Sequence, residues 1–465
     1  MYKNLLAVSV SLALSACAIG PDYQRPPTDF PDRFQEKTAV LPEDVLRVEP
    51  KWWLNYNDPV LNAMVEQALS YNNDLAVAVA QMDDAAAQAR VARSALLPQI
   101  NATGNGTRGR TSQETNTGTL GEAYTVGASV SWELDLWGKL RRSNEAARAT
   151  YLASSFNADA VRLSLAAQVA QTYFQMRALD ASLKLSQDTR RTREETLDIQ
   201  TKRFQGGVLS MLEVSQAQAE LSSAQLSAEQ QALALKTTET ALSVLLGQSP
   251  REFLNQHPRG SSLNAMSVPS NIPEGVPSDL LLRRPDIAQA EQQLVAANAR
   301  IGEARAAYFP SIGLTGNLGS QSLSLANLFT GPAATWSFIG SLAAPIFNFG
   351  ATQANVSSAN ARQRSALAAY EKAIQSGFKD VLDSLRTVDS TRMQLRSQRD
   401  QVNATQEALR LVNLRYNAGY SAYLDVLDTQ RSAYAAQLGL INTELSNLNA
   451  TVNLYKALGG GWQKP

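Results

Sequence analysis

Asp428 and Arg431 stand three residues apart near the start of a helical pattern, with Leu424 one turn before Asp428. Two readings of this group are open. On a solvated helix an acid and a base at i,i+3 form a surface ion pair, contributing about 0.2–0.5 kcal/mol. If several chains bring the segment to one axis, Leu424 and Asp428 become rings that close a pore, and the acidic ring favours cations. Other chemistry is scarce. Gly104-Asn105-Gly106-Thr107-Arg108-Gly109 spells the dinucleotide-binding string G-x-G-x-x-G, but no helical pattern follows it. One Cys excludes an internal disulfide, and one His leaves a His-based metal site or triad without partners. No phosphate loop, zinc spacing or nucleophile elbow occurs, so neither an enzyme nor a cofactor is expected. A net charge of zero gives no electrostatic case for nucleic acid.

The Asp428 group follows a turn that occurs twice. Arg203-Phe204-Gln205-Gly206-Gly207-Val208-Leu209-Ser210-Met211-Leu212-Glu213-Val214 is matched by Arg415-Tyr416-Asn417-Ala418-Gly419-Tyr420-Ser421-Ala422-Tyr423-Leu424-Asp425-Val426, 212 residues later. In each, a long helical pattern runs into a glycine turn and a second helical pattern follows, the signature of a helical hairpin tip. The offset is general. Asp74 pairs with Asp286, Pro98 with Pro310, Thr103-Gly104-Asn105 with Thr315-Gly316-Asn317, Gly138 with Gly350, and Leu246-Gly247 with Leu458-Gly459. The chain is a tandem duplication. Opposite Asp428 and Arg431 the first copy carries Gln216 and Ala219, so one acidic ring is expected at this level, with Leu212 and Glu213 as further contributors.

Between the helical patterns the period changes. Tyr124, Val126, Ala128, Val130, Trp132, Leu134 and Leu136 alternate with Thr125, Gly127, Ser129, Ser131, Glu133 and Asp135, which reads as a strand with one apolar and one polar face. A weaker partner runs from Gln99 to about Arg110, and the second copy repeats both. Strands of about 10 residues fit a tilted membrane crossing; a soluble sandwich with the apolar face in a protein core fits equally. Four strands cannot close a membrane barrel, for which about eight are the minimum, so a membrane reading requires subunits to share one.

The helical patterns after Gly138 and Gly350 each run roughly 65 residues, or about 100 Å at 1.5 Å per residue. They are too long and too rich in Arg, Gln, Asp and Ser to be transmembrane. The return helices carry apolar seams in different phases, as helices with a neighbour on each side require.

Met1 to Ala16 reads as a secretory signal, with Lys3 ahead of an apolar run. Leu14-Ser15-Ala16-Cys17 resembles a bacterial lipobox, which implies cleavage before Cys17 and acylation there, palmitate included. Residues 17–58 then form an extended arm, docked by Trp52 and Trp53. The first repeat spans 59–247, with one helical pattern from Pro59 to Leu97, a β-hairpin at about 99–136 and long helices at about 139–205 and 208–246. A proline-rich linker occupies 248–285. The second repeat spans 286–459, with a hairpin at about 311–347 and helices at about 351–417 and 420–458, and the tail 460–465 is expected to fray.

Gly20-Pro21-Asp22-Tyr23-Gln24-Arg25-Pro26, Leu97-Pro98-Gln99-Ile100, Glu133-Leu134-Asp135-Leu136-Trp137-Gly138-Lys139, Arg283-Arg284-Pro285-Asp286-Ile287 and Tyr308-Phe309-Pro310-Ser311-Ile312 resemble the outer-membrane factor family of TolC/OprM type, lipoprotein branch. The resemblance covers the whole mature chain. It implies a mixed α/β membrane fold in which a homotrimer forms a 12-stranded outer-membrane β-barrel continuous with a 12-helix periplasmic α-barrel. It implies passive export of drugs or other small toxic molecules. A periplasmic membrane-fusion adaptor would dock on the tips around Gly206, Gly207 and Gly419. An inner-membrane transporter of RND or MFS type would supply the energy. It also implies that Leu424 and Asp428 constrict the periplasmic mouth, and that Arg431 and Tyr416 belong to the network holding it shut. A type I protein-secretion conduit of the same fold and a periplasmic coiled-coil scaffold are the alternatives. The duplicated alternating hairpins oppose the scaffold, which has no use for a lipid-like face.

Overall fold

A computed structural model describes residues 18–27, 50–110, 112, 114, 120–255, 257–266 and 284–462. The signal segment, Cys17, most of the arm, much of the linker and residues 463–465 lie outside the described residues. Two compact units emerge, one from Met1–Thr28, Ala80–Ser155 and Gln289–Lys372, the other from Asp29–Val79, Phe156–Ala288 and Ala373–Pro465.

In chain order the elements are α1 (Pro59–Tyr71), α2 (Asn73–Ser94), β1 (Gln99–Arg110), β2 (Leu120–Leu134), α3 (Lys139–Gln205), α4 (Met211–Leu245), α5 (Pro285–Ala306), β3 (Ser311–Ser322), β4 (Ala334–Ala343), α6 (Ala351–Asn417) and α7 (Tyr423–Ala457). Helices α2 and α5, α3 and α6, and α4 and α7 start and end 212 residues apart. The duplication thus extends to the ends of the helices.

The first unit holds a four-stranded antiparallel meander in the order β1-β2-β3-β4. Ile100 faces Val130, Trp132 faces Leu314, and Leu318 faces both Ala128 and Trp336. Directly opposed residues share a face, so the apolar positions of all four strands form one surface. Leu318, Trp336, Phe338 and Leu342 on it are exposed in the single chain. The opposite face carries Thr103, Asn105, Ser129, Ser131, Thr315 and Asn317. Gly127 opposes Gly319 at the centre, and a Cβ on Gly127 would lie 2.7 Å from the Leu318 carbonyl oxygen. The sheet needs glycine there for its two strands to approach.

Below the sheet, three of the sequence strings quoted above meet. Trp137 stacks on Phe309 with ring centroids 4.9 Å apart, and its Nε1 donates to the Pro310 carbonyl at 2.7 Å. Asp135 accepts from the amides of Leu140 and Arg141 and so caps α3. The N-terminal strap lies across them. The Ile19 amide donates to the Trp137 carbonyl, Asn298 donates to the Pro21 carbonyl, Asp22 pairs with Arg142 at 2.6 Å, and Arg25 forks onto Glu291 at 2.8 and 2.6 Å.

The second unit has a dense aromatic core. Trp52, Tyr56, Tyr173, Phe174 and Leu242 are fully buried, and Trp52 stacks on Tyr455 at 5.4 Å. Asp58, fully buried, accepts from the amides of Val60, Leu61 and Ser261 and from the Tyr173 hydroxyl at 2.8 Å. Its carboxylate therefore caps α1, with Pro59 at the first helical position, and ties down the linker. Linker residues 257–261 are fixed further by His257 against Ser243 and by Arg259 against Asp180 and Glu239.

Three expectations need correction. The pattern from Pro59 to Leu97 is two helices, because buried Asn72 turns the chain: its side chain caps α2 by accepting from Leu75 and donates to the Leu245 carbonyl. The tail does not fray through Trp462, whose indole donates to Asp159 at 2.9 Å and packs edge-on against Phe156. The second hairpin was expected to reach about residue 347, yet β4 ends at Ala343 and Ile346 is 98% exposed.

The glycine pair yields a prediction. Gly127→Val should abolish most folded protein, read as β-signal in circular dichroism and protease resistance. Gly316→Val, where a Cβ meets nothing within 4 Å, should leave both intact. Equal tolerance at both positions would show that the strand approach is not limiting.

Candidate gate at the helical tips

Both tips close by the same backbone device. In the first, Val208 N–H bonds to the Arg203 carbonyl and Gly207 N–H to that of Phe204; in the second, Tyr420 and Gly419 do the same to Arg415 and Tyr416. This is a Schellman ending, whose left-handed residue is glycine because a side chain is strained there; Gly207 has φ +73° and Gly419 +82°. Gly206 continues the last turn of α3 by bonding to Lys202.

The return helices then start differently. Ser210 caps α4 by accepting from the Leu212 amide, while Glu213 accepts from the Ser210 amide at 3.1 Å and from its hydroxyl. That hydroxyl holds the Glu213 carboxyl below its ordinary range. Glu213 is thus occupied at the helix start, and Leu212 beside it is 63% exposed. At α7 the cap position is Ala422, and Asp425 accepts from its amide at 3.1 Å.

On α7, one face is packed and one is open. Tyr423, Val426 and Leu427 are buried with Ala217 of α4, with Leu197, Val412 and Tyr416 against them. Leu424 and Asp428, one turn apart, are both exposed. Tyr416 accepts from Gln200 at 3.2 Å and from Arg203 at 3.3 Å, and its ring lies 5.8 Å from that of Tyr423.

Arg431 does not pair with Asp428. It donates to Glu220 of α4 through Nε at 2.8 Å and again through Nη2. Glu220, nearly buried, also lies 3.8 Å from buried Arg193 of α3. Burial draws the Arg193 guanidinium down from its ordinary value against the pull of Glu220, while the hydrogen bond that Arg431 donates to Glu220 pushes Arg431 up. One carboxylate therefore ties α7 to α4 and faces α3. Sequence reasoning missed Glu220 and Arg193. A signal was present: Glu220 falls in the seam of Ala217, Leu221 and Ala224, where an acid requires a partner. Among the described residues no cluster of His, Cys, Asp and Glu could hold a metal ion, and no helix is long and apolar enough to cross a membrane.

Comparison with known proteins gives consistent results. The outer membrane efflux protein family matches residues 64–248 and 276–460, two segments displaced by the repeat offset. The chain is 38% identical to a probable efflux pump outer membrane protein, TtgC of Pseudomonas putida, covering 99% of this chain and 96% of that one. It is 34% identical to the probable outer membrane lipoprotein SilC of Salmonella typhimurium, covering 99% and 100%. The structure superposes on the Campylobacter jejuni CmeC outer membrane channel with TM-score 0.89 at 28% identity, covering 96% of each chain.

The Glu220 bridge is testable directly. Losing a hydrogen bond to a charged group costs about 1.5–3 kcal/mol, and Glu220→Gln leaves Arg193 without its counter-charge. Amide exchange in residues 423–431 should accelerate roughly tenfold or more. Unchanged exchange there would remove Glu220 from what holds the tip.

Proposed function

The chain belongs to the outer membrane efflux protein family, and on that premise we propose that its second-repeat tips gate the channel. The protein is an outer-membrane channel of an efflux system, passing drugs and other small toxic molecules to the exterior. Its fold is the tandem-duplicated trimeric channel fold, in which each chain contributes four strands to a shared barrel. The apolar sheet face meets lipid and the Thr, Ser and Asn face meets water.

Three chains bring three copies of Leu424 and Asp428 to the axis. The observation that carries the gate is the division of α7: one face is packed by Tyr423, Val426 and Leu427, while Leu424 and Asp428 remain open one turn apart. Leucine constricts and dries the passage, and the aspartate ring below it selects for cations. Arg431 on Glu220 holds α7 to α4 in the closed position, while Tyr416 of α6, bonded by Gln200 and Arg203 of α3, sets its ring against Tyr423 of α7. Opening requires these contacts to break as the hairpin moves outward. Leu212 adds apolar bulk from the first repeat; Glu213, ionised but tied to the Ser210 cap, is a lesser contributor.

A periplasmic adaptor docks at the tips marked by Gly206, Gly207 and Gly419, where Val208, Met211 and Tyr420 stand exposed. An inner-membrane transporter of RND or MFS type supplies the energy. Cys17 carries the lipid, palmitate included, as a second membrane attachment, and the strap from Ile19 to Arg25 fixes the chain beneath the sheet.

Two experiments bear on this. Leu424→Ala combined with Asp428→Ala should raise single-channel conductance in a planar bilayer and weaken cation preference; unchanged values would take both residues out of the gate. Cys17→Ser behind a non-lipid signal should still give outer-membrane trimers, since the barrel itself spans the bilayer. Complete loss of those trimers would make the acyl chains essential to assembly.

A further inference from the structure

One cation of the second unit is poorly matched within the chain. Arg193 of α3 is 5% exposed, and the carboxylate it faces, Glu220, stands at 3.8 Å, beyond hydrogen-bond length. That carboxylate is already held by Arg431. Two guanidinium groups thus share one acid, and the cluster carries a surplus positive charge. A guanidinium has five N–H donors, and a buried charge is tolerated where it is paired.

The duplication shows that the helices do not need this charge in order to pack. At the position 212 residues on, Thr405 of α6 replaces Arg193 and donates to the Gln401 carbonyl of its own helix at 2.9 Å. Ser432 stands where Glu220 does, and Ala219 where Arg431 does. Helices of the same lengths therefore form without any of the three charges.

Arg193 also forms part of the wall of a cavity of about 270 Å³ between α3, α6 and α7. Leu409, Asn413, Gln430, Tyr434 and Gln437 stand around it. The Tyr434 hydroxyl is committed to Ser186 at 2.8 Å. Gln430, next to Arg431 in sequence, has a side-chain oxygen that is buried without a hydrogen-bond partner. Asp188 in the same wall pairs with Arg191 at 3.1 Å, which leaves Arg193 as the net charge of the lining.

We propose that this cavity binds inorganic phosphate. The planar Arg193 fork matches two oxygens of a tetrahedral anion, and the half-buried amides of Asn413 and Gln437 supply further donors. Hydrogen phosphate keeps an O–H, which donates to the Gln430 oxygen; sulfate has none to offer. Bound phosphate gives Arg193 its own counter-charge and lowers the repulsion between Arg193 and Arg431. Glu220 is then left to Arg431, and the tie between α7 and α4 tightens. The site stands on its own geometry, and only its bearing on conductance rests on the gate reading above.

Equilibrium dialysis of radiolabelled inorganic phosphate against the detergent-extracted full chain, at constant ionic strength in chloride, tests the site. Saturable binding of one phosphate per chain is expected. It should weaken by about tenfold or more in Arg193→Gln. Arg193→Lys, which keeps the charge and loses the fork, should fall between. Arg410→Gln removes an exposed arginine outside the cavity and should change nothing. Sulfate should compete several-fold less well than phosphate. At saturation, phosphate should slow amide exchange in residues 423–431 about threefold or more, and should not do so in Arg193→Gln. No saturable binding, or equal binding by Arg193→Gln, would overturn the site. Binding without slower exchange would overturn its tie to α7, and equal competition by sulfate would remove Gln430 from it. Slower exchange with unchanged channel conductance would uphold the site and count against the gate.

Discussion

A backbone amide or carbonyl in hydrocarbon has no water to bond, and each one left unpaired costs several kcal/mol. The sheet of this chain has to meet that constraint with only four strands. The meander satisfies its inner strands and leaves one side of β1 and one side of β4 open. No fold of a single four-stranded sheet can close that gap, so the sheet is complete only among copies. Duplication simplifies the problem. A barrel of three chains contains six hairpins, each chain supplying two that share one register.

Outside the membrane the constraint is different. Helices α3 and α6, 67 residues each, stand in water and are stabilised by packing rather than by propensity alone. Their sequences are polar on average because each helix has neighbours on its flanks and water elsewhere. Small residues such as Ala217, Ala224 and Ala228 lie buried along α4. The second unit builds a thick core from Trp52, Tyr56, Tyr173 and Phe174. Asp58 there is stabilised by four donors in the absence of a cation, which is how a fully buried carboxylate is tolerated. The second-repeat tip has a smaller apolar cluster, Tyr423, Val426, Leu427 and Ala217, supplemented by polar contacts such as Arg431 on Glu220.

Much of this was legible in the sequence because the responsible residues act locally. Pro98 and Pro310, the glycines of the tips, and the alternation from Tyr124 to Leu134 each dictate backbone geometry where they stand, and the common offset of 212 made one copy check the other. What was illegible depends on partners far along the chain. The break at Asn72 lies inside an unbroken helical pattern, and what turns the chain is the Leu245 carbonyl, 173 residues away. The tail is held through Trp462 by Asp159, 303 residues away. At the gate, Leu424 and Asp428 could be placed on one exposed face from spacing alone. The true partner of Arg431 could not, since Asp428 at i−3 offered a nearer acceptor than Glu220 on another helix.

That choice of partner bears on why the two repeats have diverged at their tips. In a chain with identical copies, three subunits would carry six equivalent tips and two acidic rings. Here the first repeat has Gln216 and Ala219 where the second has Asp428 and Arg431, and its own acid, Glu220, is turned to the arginine of the second. Arg431 is thereby held by a group off the α7 surface, a carboxylate it shares with Arg193, and it makes no ion pair with Asp428. On the proposed gate, the first repeat contributes the restraint and the second the exposed carboxylate. In that proposal a displacement that parts α7 from α4 breaks the restraint and moves the Asp428 carboxylate from the axis in one step.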